Sequence, residues 1–107
     1  MLVVNTETIP GLKITRTLGV VKGNRVQAKH IGKDIIGGLR NLVGGRMKEY
    51  EEMFVESRTA AEKDMIHEAE KLNANAIINI RYSTSSITEG ASEVLVYGTA
   101  VQVEPYE

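Results

Sequence analysis

The stretch "EVLVYGTAVQV", from Glu93 to Val103, constrains the fold of this chain more than any other. In an extended strand successive side chains point to opposite faces. Leu95, Tyr97, Thr99, Val101 and Val103 therefore line one face, and Val94, Val96, Gly98 and Ala100 line the other. Both faces are apolar, which is the pattern of a strand buried on two sides. "AIINI" at Ala76–Ile80 has the same character, with Ile78 and Ile80 facing opposite to Ile77. The two longer stretches "AIINIRYSTSSI" and "SEVLVYGTAVQV" flank the turn residues Thr88-Glu89-Gly90, so an antiparallel hairpin is predicted. The rest of the chain has to cover both of its faces.

Upstream, "LVV" at Leu2–Val4 reads as a short strand stopped by Pro10-Gly11. "KITRTLGVVKGNRVQA", Lys13 to Ala28, is rich in β-branched residues and reads as a long strand. Gly19 and Gly23 mark places where it would bend or bulge, and Gly23-Asn24 would alternatively split it into a hairpin. Ile31, Ile35, Leu39 and Leu42 form a helical stripe that ends at Gly44-Gly45. From Arg46 to Leu72 the apolar positions Met47, Tyr50, Phe54, Ala61, Met65, Ala69 and Leu72 keep three- and four-residue steps, with Ser57 interrupting. This predicts an amphipathic helix of roughly seven turns, ended by Asn73-Ala74-Asn75. The expected fold is a single α+β domain over residues 1–107, with a mainly antiparallel sheet and one long helix packed across it. One helix covers one face of a sheet. A second copy of the chain is the simplest cover for the other, because a bare apolar face would exceed the patch that soluble monomers usually show.

Composition removes several classes of function. The chain has no cysteine, which excludes disulfides, thiolate metal sites and cysteine nucleophiles. A net charge of −1 gives no basic field for nucleic acid, and 5% aromatic residues give no base-stacking platform. No apolar run is long enough to span a membrane, and "MLVVNTETIPG" lacks the basic and apolar regions of a signal peptide. A cytoplasmic protein is expected, with no nucleic-acid or membrane partner.

Four glycines in nine residues, Gly37, Gly38, Gly44 and Gly45, raise the question of a phosphate loop. A P-loop needs Lys and then Ser or Thr after its last glycine, whereas Gly45 precedes Arg46-Met47. The dinucleotide fingerprint must connect a strand to a helix, and these glycines follow a helical stripe. They read as a joint between two helices. Because Gly44 and Gly45 precede a helix start, Arg40, Gly44, Gly45 and Arg46 together remain a candidate anion site.

On the long helix, a projection of about 100° per residue puts Arg58 beside Met65, near the middle of the apolar face. A buried guanidinium needs a carboxylate. Glu51, Glu62 or a carboxylate of a neighbouring subunit is the expected partner, with a bound anion as the alternative. Asp64, His67 and Glu68 have the spacing of helical metal ligands but project largely away from the apolar face, where charged residues are ordinarily solvated. His30 stands alone. The serines of "STSSIT" lack a nucleophile signature such as G-x-S-x-G, and nothing pairs a nucleophile with a base. No metal site and no cofactor is expected.

Several blocks come in a familiar order: "GVVKG" at Gly19–Gly23, "GLRNLVGGR" at Gly38–Arg46, Tyr50-Glu51, Arg58 with Ala61, "NANAI" at Asn73–Ile77 and "YGTAV" at Tyr97–Val101. The chain resembles the YbjQ-like family of small bacterial proteins over nearly its whole length. The resemblance implies a dodecin-like α/β subunit in a ring-shaped homopentamer, and a heavy-metal-binding label with no established reaction. It gives that label no thiol here, and both histidines lie outside the matched blocks. The family's usual Gly-Ala before the third strand reads Asn75-Ala76, and Asn also adopts left-handed backbone geometry. The functional expectation is a non-enzymatic homo-oligomer that holds a small anion or ion at subunit interfaces. The alternatives are an enzyme acting on a small anionic substrate in an arginine-lined interface pocket, and a metal-sequestering protein.

Overall fold

The C-terminal hairpin forms the middle of a four-stranded sheet. The computed structural model describes residues 1–28, 48–88 and 90–106. The strands are β1 (Leu2–Val3), β2 (Leu12–Ala28), β3 (Ala76–Thr88) and β4 (Ala91–Pro105), and the helix α1 spans Lys48–Lys71. The sheet order is β1-β3-β4-β2. β4 pairs antiparallel with both β2 and β3, and β1 adds a short parallel contact at Ala76 and Ile77. This is an α+β fold with one described helix on a mixed sheet. The stripe from Ile31 to Leu42 lies outside the described residues.

β2 is one strand rather than a hairpin, paired with β4 from Leu12 opposite Pro105 to Ala28 opposite Ala91. Its bend comes at Gly19, where φ is +130° and the register with β4 shifts. Gly23 makes no bulge. It clears space for the helix instead: a Cβ there would collide with the Ala61 carbonyl and lie 2.8 Å from the Met65 amide nitrogen.

The helix forms because Glu, Lys, Met and Ala, which lose little on entering a helix, dominate its sequence. It ends where expected. Asn73 adopts φ +64°, its N–H bonds to the Glu70 carbonyl at 3.0 Å, and the Ala74 N–H reaches back to the Ala69 carbonyl at 3.1 Å. This pair of bonds satisfies carbonyls that the helix terminus would otherwise leave free. The second left-handed asparagine is Asn79, at φ +54°, not Asn75. Asn75 works through its side chain, which donates to the Val103 carbonyl and accepts from the Val103 amide, at 3.0 and 2.8 Å.

The hydrophobic core has two parts, one on each face. Under the helix, Val21, Ala61, Met65, Ala69, Ile77, Val96 and Ala100 are buried together. On the opposite face Ala76, Ile78, Val101 and Val103 are buried beneath Val4, Ile9, Leu12 and Ile14. The split of β4 between Val94/Val96/Ala100 and Val101/Val103 matches the alternation read from sequence. Ile80 departs from it, because the left-handed Asn79 inserts a register shift between Ile78 and Arg81. Ile80 therefore packs on the helix side with Ile77. The chain's own N-terminal segment covers only one end of the second face. Beyond it Val20, Val26 and Tyr97 are exposed.

Candidate functional site

Of the sequence candidates, Arg40, Gly44, Gly45 and Arg46 lie outside the described residues, as does His30. Arg58, Glu51 and Glu62 are described, and the intrachain buried pair does not form. Arg58 and Glu51 are both exposed. The ion pairs seen among the described residues are Arg25–Asp64, at 3.1 Å, and Lys71–Glu68, at 3.4 Å. A long helix does not keep one contact direction. Successive steps of four residues drift by about 40°, and the buried line Ser57, Ala61, Met65, Ala69 follows those steps. The buried direction turns along α1, so Arg58 shares an angle with Met65 but not the local contact face. Ser57, which looked like an interruption, is itself 2% exposed.

Ser57 belongs to a polar contact inside the helix–sheet interface. The Gln27 side-chain amide donates to Ser57 Oγ and to the Met53 carbonyl, the latter at 3.3 Å. Gln27 is on the helix side of β2 at its far end, so this contact ties the N-terminal half of α1 to the strand.

Around Arg58 the structure assembles a different group. Tyr82, on the helix side of β3, donates its hydroxyl to Glu62 Oε2 at 2.8 Å. Partial burial raises the Tyr82 pKa above its ordinary 10.0; the hydrogen bond to Glu62 and that carboxylate's charge add to the rise, and Arg58 opposes it. At neutral pH this is a protonated phenol hydrogen-bonded to a carboxylate, with the Arg58 charge acting on it. Sequence reasoning missed Tyr82 because 20 residues separate it from Glu62, and no local spacing brings them together.

Beside β3, on the side away from β4, runs an open groove of about 670 Å³ lined by Val3 to Thr6 and by Ile80, Arg81 and Tyr82. Arg81 spans it, donating to the Asn5 carbonyl at 3.1 Å and to its neighbour Ile80 at 2.8 Å. A second, polar hollow of about 380 Å³ lies between α1 and β2 and contains Asp64, His67 and Glu68. Asp64 and Glu68 there are already paired with Arg25 and Lys71. Nowhere among the described residues do three metal-ligating His, Asp or Glu side chains converge. The donors these residues offer do not fit a thiophilic heavy metal, which prefers thiolate ligands.

No described helix is long and apolar enough to cross a membrane. In fold, the chain is similar to a crystal structure of a protein of unknown function from Pediococcus pentosaceus, at a TM-score of 0.64 and 18% identity over 97% of this chain and 98% of that one. In sequence it is similar to a UPF0145 protein of Thermus thermophilus, 51% identical over 98% of this chain and 92% of that protein. It is 54% identical to a UPF0145 protein of Dehalococcoides mccartyi, over 97% of this chain and all of that one. A UPF0145 protein of the archaeon Methanosarcina acetivorans is 48% identical over 96% of this chain and 97% of its own length. The family is thus not confined to bacteria. Residues 1–104 match the model of the YbjQ family, whose description is "Putative heavy-metal-binding". This chain belongs to the YbjQ family of UPF0145 proteins.

Proposed function

We propose that the protein is a non-enzymatic, cytoplasmic building block of a homo-oligomer, a ring of dodecin-like subunits that holds a small anion or ion between them. The observation that carries this reading is the surface the single chain exposes. A compact monomer of 11.8 kDa has an accessible surface of about 5,900 Å². This chain exposes 7,416 Å², roughly 1,500 Å² more than that scaling. Its radius of gyration is 17.6 Å, against about 13 Å for a compact domain of this length. Part of the exposed surface is apolar, with Val20 at 75% and Val26 at 58%. Neighbouring copies would cover it. Five is the number that the family resemblance supplies.

The anion part of the reading rests on the sequence alone, on Arg40 and Arg46 beside Gly44-Gly45, where a helix start is expected and would offer free N–H groups. Native mass spectrometry tests both parts together. The expected result is a multiple of the 11.8 kDa subunit that carries a small ligand at a fixed ratio. A stable monomer at micromolar concentration overturns the reading. Phosphate or sulfate should also raise the melting temperature above matched chloride, and Arg46→Ala should remove the difference.

A further inference from the structure

On the face of the sheet away from α1, the chain's own cover stops short. Val4, Ile9, Leu12 and Ile14 pack over Ile78, Val101 and Val103, whereas Val20 and Val26 further along β2 are exposed. Register decides which side chains occupy the bare part. Val21 and Gly23 meet the helix, so Lys22 points to the other face. Val96 is buried under the helix and Tyr82 bonds to Glu62 on it, so Tyr97 and Arg81 point the same way as Lys22. Tyr97 is paired with Lys22 on one side and with Arg81 on the other. One phenol thus stands between two cations, in a single row across three strands.

Strands lie about 4.8 Å apart, so the two cations start about 10 Å from each other with the ring midway. Neither pairs with a carboxylate among the described residues, where the ion pairs are Arg25–Asp64 and Lys71–Glu68. Arg81 is held but not neutralised, because its Nη1 donates to the Ile80 and Asn5 carbonyls. The other charged residue on the bare face is Glu93, further along β4, and it accepts from the Asn24 side-chain amide at 3.1 Å. The four residues of strand from Tyr97 to Glu93 span about 13 Å. That exceeds the screening length of about 8 Å at physiological salt. The row is a local positive site in a chain whose net charge is −1.

Tyr97 is 41% exposed, and its side chain makes no hydrogen bond or ring contact among the described residues. An exposed ring on a central strand is a stacking surface for a flat ligand, and cations beside it suit a phosphate. A strand of nucleic acid is read by two or three stacked bases on such a sheet, and this face has one ring. We propose that the row Lys22–Tyr97–Arg81 binds a single mononucleotide-like ligand, its flat ring stacked on Tyr97 and its phosphate held by the flanking cations. The site lies within one subunit and is separate from Arg40 and Arg46.

The row also divides the apolar side chains of this face, with Val20 on one side and Leu95 and Val26 on the other. A copy seated over both groups would bury Lys22 and Arg81, and buried charges are costly unless paired. A bound phosphate pairs them without any carboxylate from that copy. A carboxylate supplied by the copy would instead close the row to the ligand.

The Tyr97 ring signals in NMR titrations of the wild-type protein test this, with AMP, adenosine and inorganic phosphate as probes at low salt. AMP should shift the Tyr97 ring, with an affinity up to about tenfold above that of adenosine, which lacks the charge. Phosphate should displace AMP, but with an affinity about tenfold below that of AMP itself, because it has no ring to stack. Lys22→Gln and Arg81→Gln should each weaken AMP by about threefold, while Lys13→Gln, at the other end of β2, should leave it unchanged. A Tyr97 ring that does not respond to AMP at about 10 mM overturns the proposal, and so does an affinity for AMP no better than for phosphate. A response that survives both Lys22→Gln and Arg81→Gln at full affinity overturns the role of the cations. The ring signals report this site alone. Subunit mass and the effect of Arg46→Ala on melting are read separately, so these outcomes leave the oligomer and the other anion reading standing. If a variant fails to fold, the comparison of the three probes on wild type decides.

Discussion

Replacing Gly23 with alanine asks whether β2 and α1 touch backbone to backbone. At an unstrained site this change usually stabilises a protein by about 0.4–1 kcal/mol, because it restricts the unfolded chain. Gly23 is not a left-handed residue, so the backbone itself would accept alanine. The obstacle is overhead, where the added methyl would overlap the Ala61 carbonyl oxygen and lie 2.8 Å from the Met65 nitrogen. Both are backbone atoms of a regular helix and cannot rotate aside. Ordinary contact is about 3.5 Å, so α1 would have to rise by most of an ångström or more, and gaps of 0.5–1 Å forfeit roughly a quarter to a half of each contact's attraction. Ala61, Met65 and Ala69, all 0% exposed, would lose packing together. The expected loss is about 3 kcal/mol, at the upper end for overpacked cores. Urea unfolding at one fixed protein concentration is the assay. With a slope near 1.5 kcal/mol per molar, the midpoint should fall by about 2 M. Gly19→Ala is the comparison. Its φ of +130° strains alanine, but nothing lies within 4 Å of the new methyl, so its loss should be smaller, about 1–2 kcal/mol. A Gly23→Ala protein as stable as wild type, or more so, would refute the close approach.

Arg58→Ala should cost the subunit less than about 1 kcal/mol, because an exposed arginine contributes little to folding; a loss of about 3–5 kcal/mol in subunit unfolding would mean a buried pair after all. Weakened assembly with unchanged subunit unfolding would place the partner carboxylate on a neighbouring copy. Tyr82 should ionise above pH 10.0 in the folded protein, read as the part of the ultraviolet titration that Tyr82→Phe removes. Because its folded pKa is the higher one, its contribution to stability is complete below the unfolded value and declines as pH rises through the folded value. A Tyr82 titration at or below 10.0 in the folded protein would remove the Glu62 contact.

Much of the architecture is written in local pattern. The two-sided character of β4 was legible because a period of two depends only on neighbours, and the structure buries Val96 and Ala100 against the helix and Val101 and Val103 against the opposite layer. The helix and its stop at Asn73 were legible for the same reason. Tertiary structure decided what depends on distant segments. A single left-handed residue, Asn79, moved Ile80 to the other face, which alternation alone cannot foresee. The turning contact line of α1 exposed Arg58 and buried Ser57, because the sheet rather than the helix sets which side faces inward at each level. Gly23 proved to be clearance for a helix that lies some 40 residues later in the chain. The candidate site followed the same division. Arg58 and Glu62 stood out singly by sequence, but the Tyr82–Glu62 hydrogen bond exists only because β3 returns beside α1. Local spacing records which residues share a face; only packing records which face meets which.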